Sequence, residues 1–217
     1  MLFSGISLTM ILASIPALII AAAGHEFAHA KVADMLGDST PRSMGRLTLN
    51  PVAHLDLIGS IAFLVGGFGW AKPVMVNPSN FRDPRTDSTL VSIAGPASNV
   101  LMAFLGYLAL RFLESYGLLT NESLELILTL IVVYNINFAI LNMMPIPPLD
   151  GSRIITSLLP GSWQFTLERL SFVSLILLIL VLNTPIASKI FIPLQQTILQ
   201  LFDRIVRDRK STRLNSS

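Results

Sequence analysis

Residues 1–24 contain no charged side chain, and the run is long enough to cross a bilayer as one helix, which takes about 20 mostly apolar residues. Further uncharged runs cover residues 57–71, 88–110, 126–149, 170–188 and 190–202. Those at 88–110, 126–149 and 170–188 are also long enough to span. The run at 57–71 is short and holds Gly59, Gly66, Gly67 and Gly69, which predicts a tight helix or a partial, re-entrant crossing. The run at 190–202, with Pro193, Gln195, Gln196 and Gln200, reads as a poor sixth span or an interfacial amphipathic helix. The expected fold is an all-α polytopic membrane protein. It has five to six transmembrane helices and a short re-entrant or extended segment near residues 57–78. Only 13% of the chain is charged, against about 25% in an ordinary soluble domain, so a soluble enzyme and a disordered chain are both excluded. There are no cysteines, hence no disulfides and no thiolate ligands. A net charge of +2 is too small to point to nucleic acid. The lipid bilayer is the expected partner.

No repeat or linker divides the chain, so residues 1–210 read as one transmembrane domain and 211–217 as an appended polar tail. Ala21-Ala22-Ala23 resembles the cleavage site of a secretory signal peptide. A signal's basic n-region is missing, however, and cleavage there would strip the helix leading into His25. The first run is therefore expected to stay as a span. Lys31, Arg42, Arg46, Lys72, Arg82 and Arg85 fall between it and the span starting near Ser88. Basic loops stay in the cytoplasm. The expectation is a multi-pass protein of the cell membrane whose first helix ends on the cytoplasmic side. Arg153 and the 204–210 cluster are compatible with that side, and Arg111, beside Glu114, falls on the other. Trp70 and Trp163 fit interface anchors. Pro and Gly gather at 41–51, 66–78 and 145–151. Irregular backbone at membrane depth survives only where protein or a water-filled cavity covers it, so a site is expected at these places.

His25-Glu26-Phe27-Ala28-His29 is HExxH. On a helix, positions i and i+4 share a face, so both imidazoles can reach one ion. Glu26 lies about 100° round the helix, near enough to touch a metal-bound water without ligating the metal. Ionisable groups at the end of an uncharged run cost about 2.5–3.5 kcal/mol each to insert, which favours a functional reason for them. An interfacial pair between Glu26 and Lys31 would leave the two histidines unexplained. The motif predicts one Zn²⁺, with Glu26 as the base.

A hydrolytic zinc site takes three protein ligands plus water. Asp34 lies on the same helix, too far down the axis at about 1.5 Å per residue. His54 and Asp56, in Asn50-Pro51-Val52-Ala53-His54-Leu55-Asp56, sit where the chain can fold back. Asp150 follows three prolines that end a helix, with Gly151 to let the backbone turn. A carboxylate on broken backbone beside an apolar run suits a metal site within the membrane. This favours Asp150 over His54, without eliminating His54.

Three segments together resemble the site-2 protease family of intramembrane zinc metalloproteases. They are the HExxH helix, Gly95-Pro96-Ala97-Ser98-Asn99, and Asn142-Met143-Met144-Pro145-Ile146-Pro147-Pro148-Leu149-Asp150-Gly151. Gly45-Arg46-Leu47-Thr48-Leu49-Asn50-Pro51 and Gly69-Trp70-Ala71-Lys72-Pro73-Val74-Met75-Val76-Asn77-Pro78 are similar to its compact prokaryotic members, without PDZ or CBS modules. The resemblance runs from the first helix to Gly151. It implies that His25, His29 and Asp150 bind zinc, that Glu26 is the catalytic base, and that Asn99 is an auxiliary polar group. The substrate it implies is a transmembrane segment of another protein, already shortened by an earlier cut.

A peptide bond in a transmembrane helix must be unwound before it is cut, exposing amides that need new partners. Val74, Met75 and Val76, between helix-breaking Gly69, Pro73 and Pro78, suit an extended edge that pairs with the opened chain. Asn99 can bind a developing oxyanion, orient Glu26, or serve helix packing beside the small residues Gly95, Ala97 and Ser98. Asn135 and Asn137 are expected to form interhelical hydrogen bonds. His54 with Asp56 reads as a supporting pair or an alternative metal ligand. Two readings from other classes stand beside the protease: a zinc or proton transporter, in which Glu26 is only a charge, and a non-catalytic relative that binds membrane partners.

Overall fold

The computed structural model describes residues 8–59, 61, 71–159 and 161–214. Its main helices are α1 (Leu8–Met35), α2 (Thr40–Ser43), α3 (Pro84–Ser115), α4 (Glu122–Asn142), α5 (Asp150–Leu158), α6 (Gly161–Leu182) and α7 (Pro185–Leu214). Short 3-10 turns lie at Pro51–Ala53 and Pro78–Asn80. Among the described residues the β pairing is one isolated antiparallel bridge, Leu55 to Ala71. The fold is all-helical, as expected. The helix or re-entrant crossing expected at 57–71 falls mostly outside the described residues, as do Trp70 and the side chain of Trp163.

Among the described residues, three helices are long and apolar enough to cross a membrane: Thr9–Met35, Pro84–Ser115 and Glu122–Asn142. A fourth crossing arises if Arg169–Leu182 and Pro185–Arg207, bent by 82° at a short break, count as one span. The run at 170–188 is therefore not one straight helix. α6 stops at Leu182, and Pro185, which has no N–H to continue it, starts α7 instead. The run at 190–202 lies inside α7, which continues to Leu214.

Local chemistry sets the helix starts. Asp83 caps α3, its carboxylate accepting from the Arg85 and Thr86 amides with Pro84 in the first turn. Asn121 caps α4 through Ser123 and Leu124. In lipid, helices associate through close packing rather than water exclusion, so small residues mark their contacts. α1 presents buried Ala13, Ala17 and Ala21, one per turn, and Ala13 and Ala17 pack on Leu130 of α4. Ala103 of α3 packs with Val132, Ile136 and Ile140 of α4 and with Phe202 of α7. Leu101, Leu105 and Phe112 of α3 are exposed, as a lipid-facing side must be.

The far end of α3 corrects one expectation. Tyr107 donates to Asp203 at 2.8 Å, and Arg111 lies 3.7 Å from the same carboxylate. The basic cluster after residue 203 therefore lies at Arg111's end of the bundle, not with Lys31 and Arg85. α7 carries it there, because Gln195 bonds Asn137 near the C-terminal end of α4 while Phe202 reaches Phe104 and Tyr107.

At the other end, Gly37 adopts φ 109° and closes α1, with the Asp38 amide bonded back to Ala33. Asp38 is fully buried. Its carboxylate accepts from the Thr40 amide and hydroxyl, the Asn80 side chain and the Asn77 amide. One side chain thus ties the end of α1 to the segment at 77–80. Burial pushes the Asp38 carboxyl up, but these hydrogen bonds outweigh it and hold it below the ordinary carboxylate value. A depressed pKa adds stability above the unfolded value, and that stability is lost as pH falls through the folded one. Asp38→Ala should lower the melting temperature in detergent at pH 7, costing about 2 kcal/mol. The gap to wild type should close in acid; a gap independent of pH would contradict this account.

Candidate metal centre

His25 and His29 stand one turn apart on α1, 5% and 8% exposed, with ring centroids 4.5 Å apart. Their Nε2 atoms are 2.9 Å from each other. Asp150, the first residue of α5, places Oδ2 3.1 Å from His25 Nε2 and 3.3 Å from His29 Nε2. Among the described residues, these three form the group of His, Asp and Glu able to share one ion.

Close backbone approach makes the triangle. A Cβ on Gly95 of α3 would lie 2.6 Å from His25 Cε1 and collide with the His29 ring, so only glycine lets α3 cross α1 here. A Cβ on Gly151 would strike the Met143 and Met144 carbonyls. The broken stretch after α4 can therefore fold tightly enough to aim Asp150 at the imidazoles.

The hydrogen bonds behind the rings fix where their protons are. His25 Nδ1 faces Asn99 Oδ1 at 2.6 Å, and His29 Nδ1 faces the Val91 carbonyl at 2.7 Å. The Asn99 orientation is settled by its amino group, which donates to the Ala21 carbonyl at 3.0 Å and to Asn135 Oδ1 at 2.9 Å. Both Nδ1 atoms thus donate to acceptors, and in neutral rings both Nε2 atoms are bare lone pairs. Asp150 Oδ2, buried and without a hydrogen-bond partner, completes a set of three electron-pair donors. Such a set needs positive charge at its centre. Atoms bonded to tetrahedral zinc at about 2.0–2.2 Å lie about 3.3–3.6 Å apart, a few tenths of an ångström wider than the edges seen here. The donor set, its protonation and its spacing all fit Zn²⁺.

Glu26 lies beside this triangle, its Oε2 accepting from the Val74 amide at 2.9 Å. The stretch from Lys72 to Asn77 has no helix, and Val74 is buried while Met75 is 57% exposed. The segment singled out from the sequence is thus in direct contact with the glutamate of the motif. Asn99 is directed at His25 rather than at Glu26. The link from Asn99 to Asn135 is interhelical, as is that between Gln195 and Asn137.

His54 is elsewhere. It is fully buried, and its Nε2 bonds the Thr48 carbonyl at 2.7 Å. Its backbone carbonyl accepts from Lys72 at 2.7 Å, so it braces the loop that leads into the extended stretch. It is not in the three-residue group. Asp56 accepts from the Gly59 amide, and Asp34 pairs with Arg42 at 2.6 Å. Sequence reasoning missed the Val91 carbonyl and the Asp38 tie. The first is a backbone atom with no sequence signature, and the second needs the contact between residues 38 and 77.

If Asn99 orients His25, Asn99→Ala should weaken zinc affinity by about 10–100-fold, measured by chelator competition on purified protein. An unchanged affinity would rule out that role.

The sequence profile of Peptidase family M50 matches residues 117–182, the part that contains Asp150. The chain is 39% identical over 196 residues to "Putative zinc metalloprotease YwhC" of Bacillus subtilis (strain 168), covering 87% of this chain and 90% of that protein. It is 27% identical over 175 residues to "Putative zinc metalloprotease Rip2" of Mycolicibacterium smegmatis, covering 78% and 66%. No solved structure matches it. With identity at this level over nearly the whole of both chains, and a family profile on the segment that delivers the aspartate, the protein belongs to peptidase family M50, the site-2 protease family.

Proposed function

We propose that this protein is an intramembrane zinc metalloprotease that cuts peptide bonds within transmembrane segments of membrane proteins, as in regulated intramembrane proteolysis. The observation that carries the reading is the triangle of two proton-free imidazole nitrogens and one carboxylate oxygen, with the HExxH glutamate beside it. His25, His29 and Asp150 hold the zinc. When bound, the metal acidifies water and polarises the scissile carbonyl.

The chain's own residues do the rest. Glu26 accepts the proton of the attacking water and returns it to the departing amide nitrogen. The amide of Val74 holds the glutamate in place meanwhile. Val74, Met75 and Val76 form the edge on which an unwound substrate segment pairs, replacing the hydrogen bonds lost with its helix. Asn99 positions His25, and His54 braces the loop behind the edge.

The protein is a multi-pass protein of the cell membrane with five to six spans, its centre facing the cytoplasm. Lys31, Arg42, Arg46, Lys72, Arg82, Arg85 and Arg153 support this side, while Arg111, Arg204 and Arg207 at the other end counterbalance them in part. The substrate arrives already shortened by an earlier cut.

Purified wild type and Glu26→Gln test the reading with transmembrane peptide substrates. Both should retain one zinc, and the variant should cut about 10²–10⁴-fold more slowly. Cleavage by Glu26→Gln at the wild-type rate, or zinc flux without cleavage, would refute it.

A further inference from the structure

A cavity of about 530 Å³ is lined by neighbours of the metal-centre residues rather than by those residues themselves. Its walls include Val91, whose carbonyl holds His29, and Val76, two residues beyond the amide bonded to Glu26. Ser152, two residues beyond Asp150, is a third. Its charge is one-sided. Arg85 and Arg153 line it, and among the described residues no Asp or Glu does. Both guanidinium groups are exposed, and neither is in an ion pair among the described residues, where Arg42, Arg111 and Arg207 are the paired arginines. Asp83, close to Arg85 in sequence, is bonded to Thr86 and to the Arg85 and Thr86 amides. The hydroxyls of Ser92 and Ser152 donate to their own helices, which leaves their oxygens as acceptors for the amides of an opened chain.

We propose that this cavity is the subsite for the substrate segment flanking the scissile bond, and that Arg85 and Arg153 select an Asp or Glu side chain there. The inference rests on the proteolytic reading above and adds a specificity to it. Cytoplasmic flanks of transmembrane segments ordinarily carry Lys and Arg. Two cations at the cleft repel that default and attract its exception, so one feature both rejects and selects. An anionic lipid headgroup would satisfy the same charges, but Val91, whose carbonyl holds His29, is part of the cavity wall, which favours the substrate.

The test uses Glu26→Gln protein in detergent and synthetic transmembrane peptides that differ only in an Asp/Glu, Ser or Lys flank. By fluorescence anisotropy, the acidic peptide should bind about tenfold more tightly than the Ser peptide, and the Lys peptide more weakly than either. Adding Arg85→Glu and Arg153→Glu should reverse the order, with zinc content unchanged as the check on folding. An affinity independent of the flank, or an order that does not reverse, overturns the proposal. So does a result in vesicles where the arginine changes alter only the response to phosphatidylglycerol. If wild type cuts none of the peptides while the acidic preference persists, proteolysis is refuted and the charge selection stands.

Discussion

Two imidazole nitrogens and a carboxylate oxygen, all about 3 Å apart, repel one another when the rings are neutral unless a cation lies between them. The rest of the structure is arranged to hold that unfavourable set together. Asn99 and the Val91 carbonyl take the imidazole protons on the far side of the rings, so the near side is left bare. Asn99 is itself fixed by Asn135 and the Ala21 carbonyl, which ties the centre to α1, α3 and α4. Each bond in this chain satisfies a polar group that would otherwise cost several kcal/mol at membrane depth. The polar network and the spans are thus one construction.

The packing follows from the same need. Bringing α3 against α1 at the histidines, and the start of α5 against the carbonyls that follow α4, requires backbone where side chains would collide, and Gly95 and Gly151 supply it. The alanine stripe on α1 does the same for α4. Asp38 closes the frame from the aqueous end, holding residues 77–80 so that the stretch beginning at Val74 stays on Glu26. The glutamate of the HExxH motif is therefore positioned by a loop, and that loop by a buried carboxylate on the turn after its own helix.

Much of this was legible in the sequence, for physical reasons. HExxH is readable because the helical period alone puts two imidazoles on one face. Asp150 is readable because three prolines must break a helix, and a carboxylate on broken backbone within an apolar region needs a partner. What remained open depended on which helix faces which. Asn99 was visible as a polar residue in a span, but its partner could be named only once α3 was seen to cross α1 at Gly95. His54 could not be separated from Asp150 by residue type, and its bond to Thr48 came from the path of a loop. Charge counting found the cluster after residue 203 compatible with the Lys31 side, whereas it lies at Arg111's end of the bundle. It took no account of the bend between α6 and α7, which the uncharged run at 170–188 conceals.

The central claim concerns the metal, and X-ray absorption at the zinc edge tests it most directly. Zinc-loaded wild type should give two imidazole nitrogens at about 2.0–2.1 Å and a carboxylate oxygen at about 2.0–2.2 Å, and Asp150→Ala should lose the protein oxygen while keeping both nitrogens. A spectrum with a third imidazole, or one that Asp150→Ala leaves unchanged, would contradict the account.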